Sequence, residues 1–324
     1  MKATRVVEAM VAGVGLTAAV NRVLTRRAGE LEPALEGRQE SYRWRGMDVA
    51  YTEAGDPDAP TLVFFHGTSA AASNGEFRNV FTPLAQQYHV VAPDLPGFGR
   101  SDRPSIHYTP RLYEAFVESF LSQFDAPTVV TSSLSAAFLA GALDDVTVSR
   151  LVLACPSTGG MPGPYPWLER LVRLPVVGTG LFNLAVSRRS IERSNADHGY
   201  YDMTNATEQW LDYEWRTAHQ PGARFAPAAF VSGQLNSDVD LEAALSHADV
   251  PVTLVWGRDA ETTPLSEGRE LADATGASLV VVDEALLLPH VEHPDEFVEA
   301  VMEAEEGAQT ASGATATEFD APEE

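Results

Sequence analysis

The stretch from Thr128 to Ala140, TVVTSSLSAAFLA, constrains the chain most, because a β-branched run stops at a cluster of hydroxyls and an alanine-rich segment begins without a spacer. β-Branched residues favour strands and alanine favours helix, so the change of composition marks a change of backbone. A strand that turns straight into a helix can hold one side chain out above the carboxyl edge of a sheet, and Ser133 occupies that position. In the pattern Gly-x-Ser-x-Gly the flanking residues are small because the central one is strained and crowded; here Thr131 and Ser135 stand in those places. Ser133 also has a purely structural reading, since serine and threonine are common helix N-caps.

The surrounding sequence alternates strand and helix. YRWRG and MDVAYTEA, residues 42–54, read as an edge hairpin around Gly46, and TLVFFHG, residues 61–67, is a continuous apolar run suited to a strand buried on both faces. Helical spacing follows over Phe77 to Gln87, Tyr113 to Phe124, Leu134 to Leu143 and Leu265 to Ala274. Strands are expected at HVVAP, TVV, Arg150 to Cys155, PVTLVWG and SLVVVD, and PDEFVEAVMEAEE gives a closing helix. This rhythm implies an α/β fold with a doubly wound, mostly parallel sheet whose ligands sit beyond the carboxyl ends of the strands. From about 159 to 247 the rhythm fails, and aromatic-rich irregular helices suggest an inserted lid over that edge.

Charge narrows the partners. With 22 basic residues against 46 acidic ones the formal charge is −24, which argues against the phosphates of nucleic acid as a ligand. Lys2 is the only lysine, and such an acidic, lysine-poor chain resembles the halophilic, acidic proteins of salt-loving microbes, where salt screens self-repulsion. The tail 307–324 is small and polar and is expected to be disordered. Cys155 is the single cysteine and lies in the apolar run LVLAC, so a buried, inert thiol and a cytoplasmic location are expected.

Residues 1–30 form an expected N-terminal helix with an apolar stretch, Ala9 to Val20, between Lys2 and Arg5 on one side and Arg22, Arg26 and Arg27 on the other. Twelve residues span about 18 Å as a helix, against a hydrocarbon core of about 30 Å, so the stretch is too short to cross a bilayer. It leaves two readings open: packing on the protein itself, or a peripheral place on a membrane surface through residues 6–24.

Taken in order, FFHG at 64–67, DLPGFGRSDRP at 94–104, the serine turn, PVTLVWGRDAETTP at 251–264 and LPHVEHPDEF at 288–297 resemble the α/β-hydrolase superfamily, in particular its capped esterase and haloperoxidase-like branch. The resemblance covers roughly residues 42–305, with the cap at about 159–247, and implies that Ser133 is the nucleophile. It also implies that the backbone N–H groups of Thr68 and Leu134 form the oxyanion hole, with His66 as a structural brace of that loop. The family's acid position, three residues after Gly257, falls on Ala260, and its histidine position, aligned on Pro289 and Glu292, falls on Leu287. The triad is therefore expected to be incomplete. His290 or His293 as base, and Asp259, Glu261 or Asp283 as acid, are the substitutes nearest in sequence.

The resulting expectation is a hydrolase of a small apolar ester or related carbonyl compound, using Ser133 without a standard His/Asp pair. The alternative is a catalytically inactive relative that binds an apolar ligand or a partner. No cofactor is expected, and HVEH lacks a third convincing ligand for a metal.

Overall fold

The computed structural model describes residues 2–303, with side-chain surroundings from residue 12 onward. The elements run α1 (Lys2–Ala28), β1 (Arg38–Trp44), β2 (Met47–Ala54), β3 (Thr61–Phe65), α2 (Phe81–Leu84), β4 (His89–Pro93), α3 (Pro110–Leu121), β5 (Thr128–Ser132), α4 (Ser135–Ala140) and β6 (Arg150–Ala154). The cap contributes α5 (Pro166–Arg173), α6 (Val177–Ala185), α7 (Arg188–Ser194), α8 (Glu208–Ala218) and α9 (Phe225–Val231). Then follow α10 (Leu241–His247), β7 (Val252–Gly257), α11 (Leu265–Thr275), β8 (Ser278–Val282), α12 (Pro289–Glu292) and a closing helix over 294–303.

The expected sheet is present, with strand order β1-β2-β4-β3-β5-β6-β7-β8. The hairpin β1–β2 and the pair β2–β4 are antiparallel, and every other neighbouring pair is parallel. From β3 the chain moves outward to β4, then returns to lay β5 on the other side of β3. The order reverses there, and the crevice of a doubly wound sheet opens at the carboxyl ends of the two strands flanking that reversal. Those ends carry His66-Gly67-Thr68 and Ser133.

The two faces of the sheet bury separate apolar layers. One packs Phe65, Tyr113, Phe116, Phe120, Phe138 and Leu254 under α3, α4 and α11; the other packs Phe64, Phe77, Phe81, Val130, Val255 and Phe297 under α2 and the closing helix. Parallel strands covered on both faces must be apolar throughout, which is why β5 and β6 are buried at every residue.

Several boundaries differ from the periodic reading. The helical pattern from Phe77 to Gln87 becomes a 3-10 turn at Asn74–Phe77 and the single turn α2. Phe77, Val80, Phe81 and Leu84 supply the periodicity by being buried, but Asn74 is tied down by its N–H to Asp94 Oδ1 (2.7 Å) and its side chain to Ala92 O (2.9 Å), and Pro83 lacks a donor. α3 starts three residues earlier than Tyr113, because Thr109 caps it by accepting the N–H of Leu112 and Pro110 fits its first turn. α4 stops at Ala140 rather than Leu143, giving way at Gly141, a poor helix former where a Cβ would lie 2.8 Å from Glu114 side-chain carbons.

The cap has no strand among its described residues. Its own cluster joins Val172, Phe182, Ile191, Tyr200 and Leu211 to Ala71 and Val291, so it sits over the loop after β3 and over α12. The excursion read as 159–247 ends sooner, since Leu241 and Leu245 of α10 belong to the layer on the sheet. α1 docks on the cap. Asn21 donates to Val176 O (2.9 Å), Asn183 donates to Asn21 Oδ1 (3.0 Å), and Arg216 donates to Ala28 O (2.9 Å) and to Glu30 O. Among the described residues no helix is long and apolar enough to cross a membrane. The tail 307–324 lies outside the described residues.

Glu214 on α8 accepts a hydrogen bond from Asn195 (2.6 Å), and burial pushes its carboxyl up to about 7. A folded pKa above the unfolded value of about 4.3 means that the contribution of this group is fully present below that value and is lost as pH rises toward 7. Thermal unfolding from acidic to neutral pH should therefore show wild type losing stability relative to Glu214→Gln over that window, with the two curves separating most above pH 7.

Candidate active site

Ser133 sits at the turn from β5 into α4 with φ of +52°, in the left-handed region that non-glycine residues seldom occupy. Its N–H donates to Ala154 O (2.9 Å), and its own carbonyl accepts from Ser157 N–H (3.2 Å). A helix N-cap has an extended backbone, so this conformation excludes the simple cap reading of Ser133. Its neighbours Ser132 and Leu134 are buried, whereas Ser133 is partly exposed.

The loop after β3 is held against this turn. His66 Nδ1 donates to Gly67 O (2.7 Å) and Nε2 meets the N–H of Leu95 (3.0 Å), which fixes the orientation of the ring. The Ser135 hydroxyl donates to His66 O (2.5 Å), tying the first turn of α4 to the end of β3. Gly67 lies close against its neighbours. A Cβ on it would lie 3.3 Å from Glu76 Oε2, 3.3 Å from Ser132 Oγ and 3.5 Å from Ser133 Cβ. Thr68, the next residue, has a buried hydroxyl with no hydrogen-bond partner among the described residues.

Glu76 is a residue that the sequence reading missed. Its Oε2 accepts the N–H of Gly67 (2.9 Å), and its Oε1 lies 3.1 Å from His290 Nε2, at ion-pair distance but off the line of a hydrogen bond. Burial alone would raise this carboxyl, but the nearby His290 imidazole, the Ser132 hydroxyl and His66 outweigh it and hold Glu76 below the usual carboxylate range. Nothing in the spacing of SNGEF marks that glutamate as special. Its role comes from a tertiary contact with a residue far away in the chain.

The imidazoles proposed as replacement bases are engaged elsewhere. His290 is fully buried between Phe77 (ring centroids 5.2 Å apart) and Phe297 (5.5 Å), facing Glu76. His293 meets Glu284 O (3.1 Å) and Glu296 (3.6 Å). Of the remaining histidines, His66 braces its loop, His89 contacts Glu53, His107 contacts Glu169, and His219 and His247 contact the carbonyls of Trp215 and Ala243. His198 is exposed on the cap. Among the described residues no imidazole makes a hydrogen bond to Ser133. The acid substitutes fare no better: Asp259, Glu261 and Asp283 are exposed, and Asp283 pairs with Arg258.

The two positions assigned to acid and base do come together, as apolar contacts. Ala260 is buried in one cluster with Cys155, Trp256 and Leu265, and Leu287 packs against that cluster. Burial pushes the Cys155 thiol up to about 12, so it is a packing residue without nucleophilic character at neutral pH. Glu292 braces the loop, accepting the N–H of Leu286 (3.0 Å) on one oxygen and that of Asp202 in the cap (3.0 Å) on the other. His290 and His293 diverge toward different partners, and no group of three His, Cys, Asp or Glu among the described residues could hold a metal ion.

The sequence profile of the alpha/beta hydrolase family matches residues 62–300, and the chain belongs to that family. Among curated relatives it is similar to the 2-hydroxy-6-oxo-6-(2'-aminophenyl)hexa-2,4-dienoic acid hydrolase of Metapseudomonas resinovorans, with 24% identity over 79% of this chain and 87% of that one. Among solved structures it is similar in fold to the 2-hydroxy-6-oxo-6-phenylhexa-2,4-dienoate hydrolase from Rhodococcus sp. strain RHA1 (TM-score 0.68, 22% identity, 83% of this chain and 99% of that one). A membrane phospholipase A described as a bacterial virulence factor gives a TM-score of 0.67 at 23% identity and covers 95% of this chain and 99% of its own.

The loops bearing Ala260 and Leu287 meet at Gly257, where a Cβ would lie 2.0 Å from Leu286 O and 2.5 Å from Ala285 O. Backbone atoms in that position cannot step aside. Gly257→Ala should lower stability by about 3 kcal/mol in urea unfolding, the upper range for overpacking.

Proposed function

We propose that this protein hydrolyses a small apolar ester or a related carbonyl compound, with Ser133 as nucleophile and without the usual histidine and aspartate pair. The observation that carries the reading is the backbone of Ser133. A left-handed serine costs about 1–3 kcal/mol, and such strain persists where the surrounding structure over-determines it, typically at functional turns. The N–H groups of Thr68 and Leu134, on the two segments that meet at Gly67, are the oxyanion donors in this reading.

In the reaction, Ser133 Oγ attacks the substrate carbonyl carbon and its proton leaves to water. The negative oxygen forms opposite the two N–H donors, the alcohol departs with a proton taken from water, and a second water cleaves the acyl-enzyme to the acid. Oxyanion stabilisation and binding alone sustain roughly 10³ to 10⁴ over the uncatalysed rate when a triad is incomplete. Turnover is accordingly slow, and activated esters react best. The relatives named for dienoic acid hydrolysis carry an oxo group beside an aromatic ring in their substrate names, and that likeness extends the proposed class from esters to ketones, in which the C–C bond beside the attacked carbonyl breaks and the departing carbon takes its proton from water.

A second reading, binding of an apolar ligand without turnover, is favoured by one observation: the packing of Leu287 on the cluster around Ala260 makes that end of the crevice apolar. A fluorophosphonate probe separates the two. Labelling of wild type that vanishes in Ser133→Ala supports the hydrolase, whereas a folded, unlabelled wild type sinks it. If the elbow and its donors are competent, the double change Ala260→Asp with Leu287→His should raise p-nitrophenyl ester hydrolysis by about 10²-fold, the low end for a positioned general base.

A further inference from the structure

Among the described residues eleven large hydrophobic side chains stand exposed, and all eleven lie within 14–23 on α1 or within 165–201 of the cap. Leu16 (69% exposed), Val23 (61%), Trp167 (64%) and Leu184 (73%) are the most prominent. Single exposed hydrophobics are ordinary on a protein surface, but confinement of all of them to two segments is the mark of an interaction face. The two segments form one surface because α1 lies directly on α6. Asn21 bridges to Val176 O and Asn183, and at Gly180 a Cβ would come within 2.7 Å of the Thr17 methyl.

The same stretches escape the strong acidity of the chain. Residues 1–28 carry five bases and one acid, and residues 165–201 carry five arginines and three acids. The rest of the chain holds 12 bases against 42 acids. Beside Trp167 and Leu174, a cleft of about 440 Å³ is lined by His107, Arg170 and Arg173, with Glu169 among them. Arg173, Arg188 and Arg193 are paired with Glu169, Glu208 and Asp197, so the basic rim rests on the exposed Arg170 and Arg189 of the cap and on Arg22 and Arg26 of α1. With the tryptophan and tyrosine it carries, that rim suits the boundary between acyl chains and anionic headgroups. It suits a second copy of this chain poorly, because a two-fold contact through this face would bring the arginine rims together.

We propose that α1 and the cap helices α5 and α6 together form a docking face for the surface of a bilayer bearing anionic headgroups. α1 lies along that surface, and the cap contributes half of the contact. The site beneath the cap is thereby placed next to the lipid phase, from which an apolar substrate can enter. This proposal stands independently of whether Ser133 turns over.

The test is co-sedimentation of the full chain with vesicles of phosphatidylglycerol and phosphatidylcholine in equal parts, against vesicles of phosphatidylcholine alone. Binding to the anionic vesicles should exceed binding to the neutral ones by about tenfold or more. Leu16→Glu with Val23→Glu, on α1, and Trp167→Glu with Leu184→Glu, on the cap, should each weaken binding at least about tenfold while leaving the unfolding temperature unchanged, because all four side chains are exposed. The cap variant is decisive. If it binds like wild type, the face does not dock as one surface, and the proposal fails. It fails equally if wild type stays in the supernatant, or if light scattering without vesicles shows a dimer that the same substitutions dissociate, which would make a second copy the occupant.

Discussion

The largely enclosed carboxylate of Glu76 is the charge about which the crevice is assembled. A carboxylate withdrawn from water is tolerated only when polar groups surround it, and here they come from three distant parts of the chain. Gly67 supplies an N–H from the loop after β3, Ser132 a hydroxyl from the end of β5, and His290 an imidazole from α12. Gathering them fixes the loop, the elbow and the base loop relative to one another. His290 faces Glu76 between Phe77 and Phe297, and among the described residues it makes no hydrogen bond to Ser133.

Around that centre the turn at Ser133 and the loops bearing Ala260 and Leu287 differ in character. The elbow keeps a strained backbone at Ser133, secured by hydrogen bonds to Ala154 and from Ser157 and by the Ser135 hydroxyl on His66 O. Ala260 and Leu287 instead join an ordinary apolar cluster with Trp256 and Cys155. Small apolar side chains there remove the need to solvate a charge, and the two loops are kept in register by the close meeting at Gly257, by the backbone bonds from Arg258 and Asp259 to Val282 and Ala285, and by the exposed Arg258–Asp283 pair.

Most of the sheet was legible in the sequence because parallel strands covered on both faces leave continuous apolar runs, as TLVFF and RLVLA do, and because capping and turn residues mark the ends of the helices between them. The elbow was legible for the same reason: strand and helix compositions abut at Ser133 with nothing between. What failed to show was set by contacts far apart in sequence. The segment Phe77 to Gln87 has the spacing of a helix, yet Asn74 and Pro83 break it, and only the fold reveals that Asn74 belongs to Asp94 and Ala92. The return of α10 to the sheet was hidden because short amphipathic helices look alike whether they cover a lid or a core. His66 could be read as a brace from its place beside the glycine, whereas Glu76, one acid among 46, could not be singled out.

The lacing of α1 to the cap has a mechanical consequence. Arg216 on α8 grips the carbonyls of Ala28 and Glu30, Gln220 grips that of Gly29 (3.0 Å), and Arg27 lies over the ring of Trp215. The amino terminus is therefore a leash on the roof of the crevice: tension applied to it is felt first by the roof and only afterwards by the β-scaffold below, so whatever holds one end of this polypeptide also sets how far the other part can swing.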